Sequence, residues 1–155
     1  MQEAAPTSAA RGDSLVPVHD PIAFLAGTWT TERTMLDRSS GSTGSFTGTT
    51  TFTPDGAGLR WDEEGIATWA SYRGPATRSY RIEVEGVEVV VTFPDGRVLC
   101  RLDLSRGQAS DEHPCSPDTY RVDFAVRHPD SIEYTWDVTG PAKDLLLTTS
   151  LVRQA

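Results

Sequence analysis

The chain has 155 residues, of which 37% are hydrophobic, and this suffices for one domain with one hydrophobic core. Its formal net charge is −8 at pH 7, so it lacks the clustered positive charge with which proteins bind nucleic acid or an anionic membrane surface. No apolar run approaches the ~18 residues of a membrane-spanning helix, and the N-terminus has no signal-peptide pattern. We therefore expect a cytoplasmic protein.

The first part of the chain predicts a tail followed by one short helix. Residues 1–20 are rich in Ala, Ser, Pro, Thr and Asp, which is typical of a flexible tail, so we expect the folded domain to cover 21–155. Asp20 suits the N-cap of a helix, Pro21 suits its first position and Gly27 suits its end. No later segment has convincing helical periodicity.

Nine β-strands are predicted after this helix, separated by turn residues such as Pro54-Asp55-Gly56 and Pro94-Asp95-Gly96. They cover 28–36, 45–53, 59–69, 77–85, 87–93, 97–104, 119–127, 131–138 and 144–153. Consecutive strands with short turns predict an all-β, up-and-down antiparallel meander. Closure of the meander into a single barrel would remove its exposed edges, and a two-sheet sandwich is the alternative.

Alternation of apolar and polar residues predicts which side of each strand faces the interior. The predicted interior contains many aromatic rings: Trp29, Trp61, Tyr80, Phe124, Tyr134 and Trp136. Three charged residues, Arg33, Glu63 and Arg78, fall at inward positions too, together with Cys100. A buried charge costs several kcal/mol unless it has a partner.

Three explanations of the inward charges stay open. The first is an internal ion-pair network, for example with Glu63 between the two arginines. The second is that Arg33 and Arg78 hold an anionic or carbonyl group of a small, partly apolar ligand. The third is that the alternation is misassigned and one of the three faces water. The predicted ligand-binding residues are Arg33, Glu63, Arg78, Tyr80, Cys100, Tyr134 and Trp136.

The connection 105–118 is predicted to be long and irregular, which is often a sign of function. It leads into His113-Pro114-Cys115-Ser116-Pro117-Asp118-Thr119-Tyr120, a stretch with a histidine, a thiol and a carboxylate. His113, Asp118 and Tyr120 are candidate general acid–base residues. A purely structural loop and a Cys115–His113 nucleophile pair are the alternatives, and Cys115 either bridges to Cys100 or stays a free thiol.

We predict neither a metal nor a cofactor. The other histidines, His19 and His128, lie in the predicted tail and at a strand end, where they do not complete a tetrahedral metal site. Haem held by a histidine late in the chain is not predicted either, because the last three predicted strands contain only His128, at a turn.

Gly27-Thr28-Trp29 after a short helix resembles the opening of lipocalin-like (calycin) barrels. In such barrels the tryptophan closes one end and stacks on an arginine of the final strand, a position that Arg153 matches here. An ordered series of motifs extends this likeness: Gly27-Thr28-Trp29, Arg33, Gly44-Ser45-Phe46-Thr47-Gly48, Glu64-Gly65, Arg78-Ser79-Tyr80, Phe93-Pro94-Asp95-Gly96-Arg97, His113 to Tyr120, and Gly140-Pro141-Ala142-Lys143-Asp144.

This series, over about residues 24–153, resembles a bacterial family of small barrel proteins that carries only a domain-of-unknown-function label. The resemblance implies the lipocalin-like fold and brings no activity or ligand. The family has a histidine near the position of Cys100, and this chain departs from it there.

Three functions follow as hypotheses. The first is a small-molecule-binding barrel, acting as a monomer or homodimer. The second is a cofactor-independent enzyme, such as a cyclase, isomerase or hydrolase, that uses the same pocket with His113, Asp118 and Tyr120. The third is a structural or partner-binding domain with a filled core.

Overall fold

The segment after Asp20 forms the predicted helix, α1 (Pro21–Leu25), in a computed structural model that describes residues 14–155. The Asp20 carboxylate accepts a hydrogen bond from the Ala23 backbone N at 3.1 Å, so Asp20 is the N-cap as predicted. Within the described part of the chain, α1 is the only helix, and no helix there is long and apolar enough to cross a membrane.

Ten antiparallel strands follow, and their order along one sheet is β6-β5-β4-β3-β2-β1-β10-β9-β8-β7. The strands are β1 (Gly27–Asp37), β2 (Ser42–Asp55), β3 (Gly58–Trp69), β4 (Tyr72–Glu85), β5 (Glu88–Thr92), β6 (Val98–Asp103), β7 (Gln108–Cys115), β8 (Asp118–His128), β9 (Ser131–Thr139) and β10 (Asp144–Arg153). The sheet curls into a nearly closed barrel, which confirms the predicted all-β fold.

The barrel has a seam between β6 and β7, the two outer strands of the sheet. No backbone ladder joins them, but side chains of β7 reach backbone atoms of β6. The Asp111 carboxylate accepts a hydrogen bond from the Arg101 backbone N at 2.7 Å, and the Cys115 Sγ–H donates to the Val98 carbonyl at 3.3 Å. These contacts satisfy part of two strand edges that would otherwise be exposed.

Strand β7 corrects one sequence-based expectation, because it lies inside the connection 105–118 that was predicted to be irregular. Its inward positions hold Ala109, Asp111, His113 and Cys115, so the apolar alternation of a half-buried strand is missing. Pro114 has no backbone N–H to donate, and an outer strand is where a sheet tolerates a proline.

One end of the barrel is closed by α1 and by the residues before it. The Trp29 indole N–H donates to the Leu25 carbonyl at 2.9 Å, and the Arg153 guanidinium lies 4.2 Å from the centre of the Trp29 ring. This confirms the tryptophan–arginine stack that the lipocalin-like resemblance implied.

The end of the predicted tail also belongs to the barrel. The backbone N of Val16 donates to Val126 O at 2.9 Å, that of Val18 donates to Leu104 O at 3.0 Å, and the Val18 side chain is buried. Residues 1–13 of the predicted tail lie outside the described residues. At the opposite, open end, the turns 38–41, 70–71, 93–97, 116–117 and 140–143 surround the mouth of the barrel.

Candidate functional site

A buried ion pair crosses the barrel interior below the open end. Arg33 on β1 and Glu63 on β3 form a bidentate pair, with Nη1–Oε1 at 3.0 Å and Nη2–Oε2 at 2.5 Å. Their side chains are only 4% and 1% exposed. Each charge therefore depends on the other, because several kcal/mol would be needed to bury either one alone.

Two hydroxyl groups accept hydrogen bonds from the Nε–Nη2 edge of the Arg33 guanidinium. Its Nε donates to Thr149 Oγ1 at 2.7 Å, and its Nη2 donates to the Tyr134 hydroxyl at 3.0 Å. The Tyr134 hydroxyl in turn donates to Glu63 Oε2 at 3.1 Å. Burial raises the pKa of Tyr134, and the negative charge of Glu63 raises it further, so the phenol stays protonated at neutral pH.

The pKa of Arg33 also lies above its usual value. Burial by itself lowers it, but the interactions of the guanidinium with Tyr134 and Glu63 raise it by more. The guanidinium therefore keeps its positive charge beside the Glu63 carboxylate.

The ring of Phe46 supports this pair from β2. Phe46 is the cross-strand neighbour of Arg33, and the guanidinium lies 5.1 Å from the ring centre, a cation–π contact. The ring lies over Gly65: a Cβ atom at Gly65 would come within 2.9 Å of Phe46 Cζ and 2.6 Å of the Gly48 Cα. Glycine at position 65 therefore leaves the space that the ring occupies.

The predicted network with Glu63 between two arginines is only half present. Glu63 pairs with Arg33, and Arg78 lies opposite Glu63 on β4 but is an exposed residue nearer the mouth. Among residues 14–155, no carboxylate oxygen lies within 4 Å of the Arg78 guanidinium. Strand alternation placed Arg78 on the correct face, and its position close to the open end explains its exposure.

Above the ion pair lies a pocket of about 150 Å³, here called the mouth pocket. Arg33 and Glu63 form its polar part, and Arg78 lines it as well. Its other lining residues, nearly all apolar, are Met35, Phe46, Ala67, Trp69, Ala76, Thr77, Leu145 and Leu147.

Part of this wall was not predicted from the sequence. Extending the alternation of β3 from Glu63 by three further steps, through Gly65, would have found Ala67 and Trp69. The run of three leucines before Thr148 could not be assigned to a face.

The lower half of the barrel is filled by side chains. A cavity of only about 20 Å³ remains there, lined by Trp61 and Cys100 among others. Tyr80 and Trp136 belong to a continuous group of rings beside Trp61, with ring centres 5.0 Å (Trp61–Tyr80) and 6.0 Å (Trp61–Trp136) apart. Four predicted ligand-binding residues, Tyr80, Cys100, Tyr134 and Trp136, thus lie in the packed core and not in the lining of the mouth pocket.

The two cysteines are free thiols, which decides the alternative left open by the sequence. Both are buried. Burial raises the pKa of the Cys100 thiol, and the charge of Asp111 raises it further. Burial also raises the pKa of Cys115. Neither thiol is therefore a thiolate near neutral pH.

The three candidate proton-transfer residues lie along the mouth on β7 and β8. His113 and Tyr120 are cross-strand neighbours, and Asp118 forms an ion pair with Lys143 at 3.4 Å. Tyr120 is half-buried between the rings of Phe93 and Trp136, and burial raises its pKa. In the part of the chain that is described, the side chains of His113, Asp118 and Tyr120 do not hydrogen-bond to one another.

Within residues 14–155, no group of three or more histidine, cysteine or acidic side chains is arranged to hold a metal ion. The polar groups that converge on the interior are instead the Arg33–Glu63 pair and its two hydroxyl partners.

Solved structures with a similar fold include natural and designed barrels. The S-type phycobiliprotein lyase of Guillardia theta superposes with a TM-score of 0.70 at 12% identity, over 96% of this chain and 98% of that chain. A DUF3598-family protein of unknown function from Nostoc punctiforme PCC 73102 has a TM-score of 0.60 at 13% identity, over 91% of this chain and 50% of that one. A de novo designed fluorescence-activating β-barrel has a TM-score of 0.51 at 18% identity, over 88% of this chain and all (100%) of its own.

At these identities the similarity shows the fold alone. No curated protein matches the chain. Residues 25–153, which cover the barrel from the end of α1 to the last residue of β10, match the family described as "Family of unknown function (DUF6314)". The chain belongs to this family.

Proposed function

We propose that the protein binds a small, partly apolar molecule at the open end of its barrel, with the apolar part in the mouth pocket and an anionic group at Arg78. The observation that carries the proposal is the mouth pocket itself, whose mostly apolar wall ends at a cation. Among residues 14–155 that cation has no carboxylate within 4 Å. Such a combination is typical of sites for amphipathic ligands.

The size of the pocket limits the part of a ligand that fits inside. A cavity of about 150 Å³ lined by apolar side chains accepts a molecule the size of benzene. Ligand pockets more often measure ~300–1,000 Å³, so the rest of a larger ligand would extend past Arg78 into solvent. Burial of about 100 Å² of apolar ligand surface contributes about 2.5 kcal/mol, which predicts weak binding of a single ring.

Arg33 has a different role in this proposal from the one expected of it. Its charge is already balanced by Glu63, and its guanidinium is held by Thr149 and Tyr134. A second anion beside this pair would meet the Glu63 carboxylate as well as the cation. We therefore assign the anionic end of the ligand to Arg78 and the floor of the pocket to Arg33 and Glu63.

We do not extend the proposal to catalysis. Asp118 is paired with Lys143, and His113 has no hydrogen-bond partner among the described residues that would orient it as a base. The designed neighbour named as fluorescence-activating and the neighbour named as a phycobiliprotein lyase support the fold, so the proposal depends on the pocket and not on them.

The test is a titration of the ¹⁵N-labelled protein with benzoate, phenylacetate and 3-phenylpropionate, and with benzyl alcohol as the neutral comparison. We expect saturable shifts of amide signals from Met35, Phe46, Ala76 and Leu147. Arg78→Gln should weaken the best carboxylate about fivefold, since a charge-assisted contact at an exposed site is worth about 1 kcal/mol.

The matched control is Arg73→Gln. Arg73 is also exposed on β4, but it lies on the outer side of the sheet, so the change should leave every affinity as in the unmodified protein. Benzyl alcohol should bind both variants equally. Equal carboxylate affinity for Arg78→Gln and Arg73→Gln would refute the assignment of the anionic group.

A further inference from the structure

The Arg33–Glu63 pair keeps some unused hydrogen-bonding capacity. A guanidinium has five N–H groups, and Arg33 uses four of them, on Thr149, Tyr134 and the two Glu63 oxygens. Among residues 14–155, the second N–H of Nη1 has no acceptor. Glu63 Oε2 accepts two hydrogen bonds, whereas Oε1 accepts only the one from Nη1.

The unused donor and the unused acceptor lie on the same edge of the pair. In a bidentate arginine–carboxylate pair the two N–H···O bonds run parallel, so the second N–H of Nη1 and the remaining lone pair of Oε1 are neighbours. The opposite edge, at Nε and Nη2, is occupied by Thr149 and Tyr134.

This free edge faces the mouth pocket. Arg33 and Glu63 both line the pocket, while the residues that hold the opposite edge, Thr149 and Tyr134, do not. The floor of an otherwise mostly apolar pocket thus presents one N–H donor directly beside one carboxylate acceptor. Both side chains are nearly removed from bulk water, at 4% and 1% exposure.

We propose that the mouth pocket selects ligands with a carboxamide-type group, a C=O beside an N–H as in a ring lactam, which pairs with Arg33 Nη1 and Glu63 Oε1. This inference rests on the proposed function and names the chemistry of the deep end of its ligand. The carbonyl of such a group accepts from Arg33 while its N–H donates to Glu63, so no polar group is left unpaired.

Other groups match this edge less well. A carboxylate offers only acceptors, and one of its oxygens would face Glu63 Oε1. An ammonium or amidinium offers only donors and would face the N–H of Arg33. A ketone satisfies the arginine but leaves the Glu63 oxygen desolvated and unpaired. A site that binds polar groups discriminates strongly against analogues that lack one of them.

The test uses four small neutral or charged rings on the unmodified protein: 2-piperidone, N-methyl-2-piperidone, cyclohexanone and cyclohexanecarboxylate. Their binding is followed by amide shifts, and the site is assigned by nuclear Overhauser contacts to the methyl groups of Met35 and Leu147. We expect 2-piperidone to bind at least tenfold more tightly than cyclohexanone and N-methyl-2-piperidone. A tenfold ratio corresponds to about 1.4 kcal/mol.

Arg73→Gln serves as the control variant again, because Arg73 is exposed on the outer side of the sheet and does not line the mouth pocket. The preference for 2-piperidone should survive this change.

Equal affinity of 2-piperidone and cyclohexanone, both with contacts to Met35 and Leu147, would overturn the lactam inference and leave the proposed pocket intact. If none of the four rings and none of the phenyl carboxylates contacts those methyl groups, both proposals are wrong.

Discussion

Replacing the Glu63 carboxylate by an amide, Glu63→Gln, should destabilise the protein strongly. The change leaves the Arg33 guanidinium charged in a place where its side chain is 4% exposed. Breaking a buried ion pair by removing one partner costs about 3–5 kcal/mol. For a domain of this size each kcal/mol lowers the melting temperature by about 2–4 °C, so the expected drop is about 6–20 °C.

The same structure predicts that removing the whole network costs far less than removing one member. Replacing a complete buried ion pair by apolar side chains of similar volume often leaves the stability unchanged. Removing one partner, which leaves a buried charge unpaired, lowers the stability. We expect the triple variant Arg33→Met, Glu63→Met and Tyr134→Phe to lie within about 2 kcal/mol of the unmodified protein.

Urea unfolding followed by tryptophan fluorescence measures these differences, provided that the dependence on urea concentration stays constant between variants. Glu64→Gln is the matched control: it is the same chemical change at the next residue, where the side chain is exposed, and it should shift stability by less than about 0.5 kcal/mol. A cost below about 1 kcal/mol for Glu63→Gln would refute the reasoning. The reasoning would also fail if the triple variant lost as much unfolding free energy as its three single variants lose together.

Three further outcomes are expected. Gly65→Ala should lower the free energy of unfolding by about 1–3 kcal/mol, because its Cβ would come within 2.6 Å of the Gly48 Cα; urea unfolding measures this. Stability should fall as pH rises above about 8.5, the value of an unfolded thiol, and further above about 10, the value of an unfolded tyrosine, because burial raises the pKa values of Cys100, Cys115 and Tyr134 in the folded protein. Melting temperatures from pH 7 to 11 measure this. Asp111→Ala should accelerate hydrogen exchange of the Arg101 amide at least ~10-fold, because the amide loses its acceptor.

Each of these outcomes has a result that contradicts it. A Gly65→Ala variant as stable as the unmodified protein would show that the two strands can separate without cost. A melting temperature that stays constant to pH 11 would mean that Tyr134 is accessible to solvent in the folded protein. Exchange of the Arg101 amide that is equally slow in Asp111→Ala and in the surface control Glu112→Ala would mean that another group protects the seam.

Much of the fold could be predicted from the sequence because strand alternation is a local property. The inward positions of β9, for example, are Ile132, Tyr134, Trp136 and Val138, and all four are buried as expected. The barrel class followed from the succession of strands and turns. Strand β7 escaped detection because its inward residues are small or polar, so the pattern that identifies a half-buried strand is absent there.

The candidate site was harder to predict, since its contacts cross the barrel. Register places Glu63 beside Arg78, and a prediction from neighbouring strands favours that pair. The structure instead joins Glu63 to Arg33, two strands away, where the curvature of the sheet brings their side chains together. Alternation assigns a residue to a face but does not give its exposure, which is why Arg78 was expected to be buried and is exposed.

The filled lower half of the barrel could not be predicted either, because it depends on how large side chains from opposite walls interlock. Trp61, Tyr80 and Trp136 come from three different strands and meet in one group of rings. Around these rings the packing leaves a cavity of only about 20 Å³.

Locating a bound aromatic carboxylate on the protein tests the central claim most directly. Nuclear Overhauser contacts between the ring protons of phenylacetate and the protein should appear at the methyl groups of Met35 and Leu147, with the carboxylate shifting the Arg78 side-chain signals. Contacts confined to the outer face of the barrel, or saturable binding that leaves Met35, Leu147 and Arg78 unchanged, would contradict a ligand site at the open end.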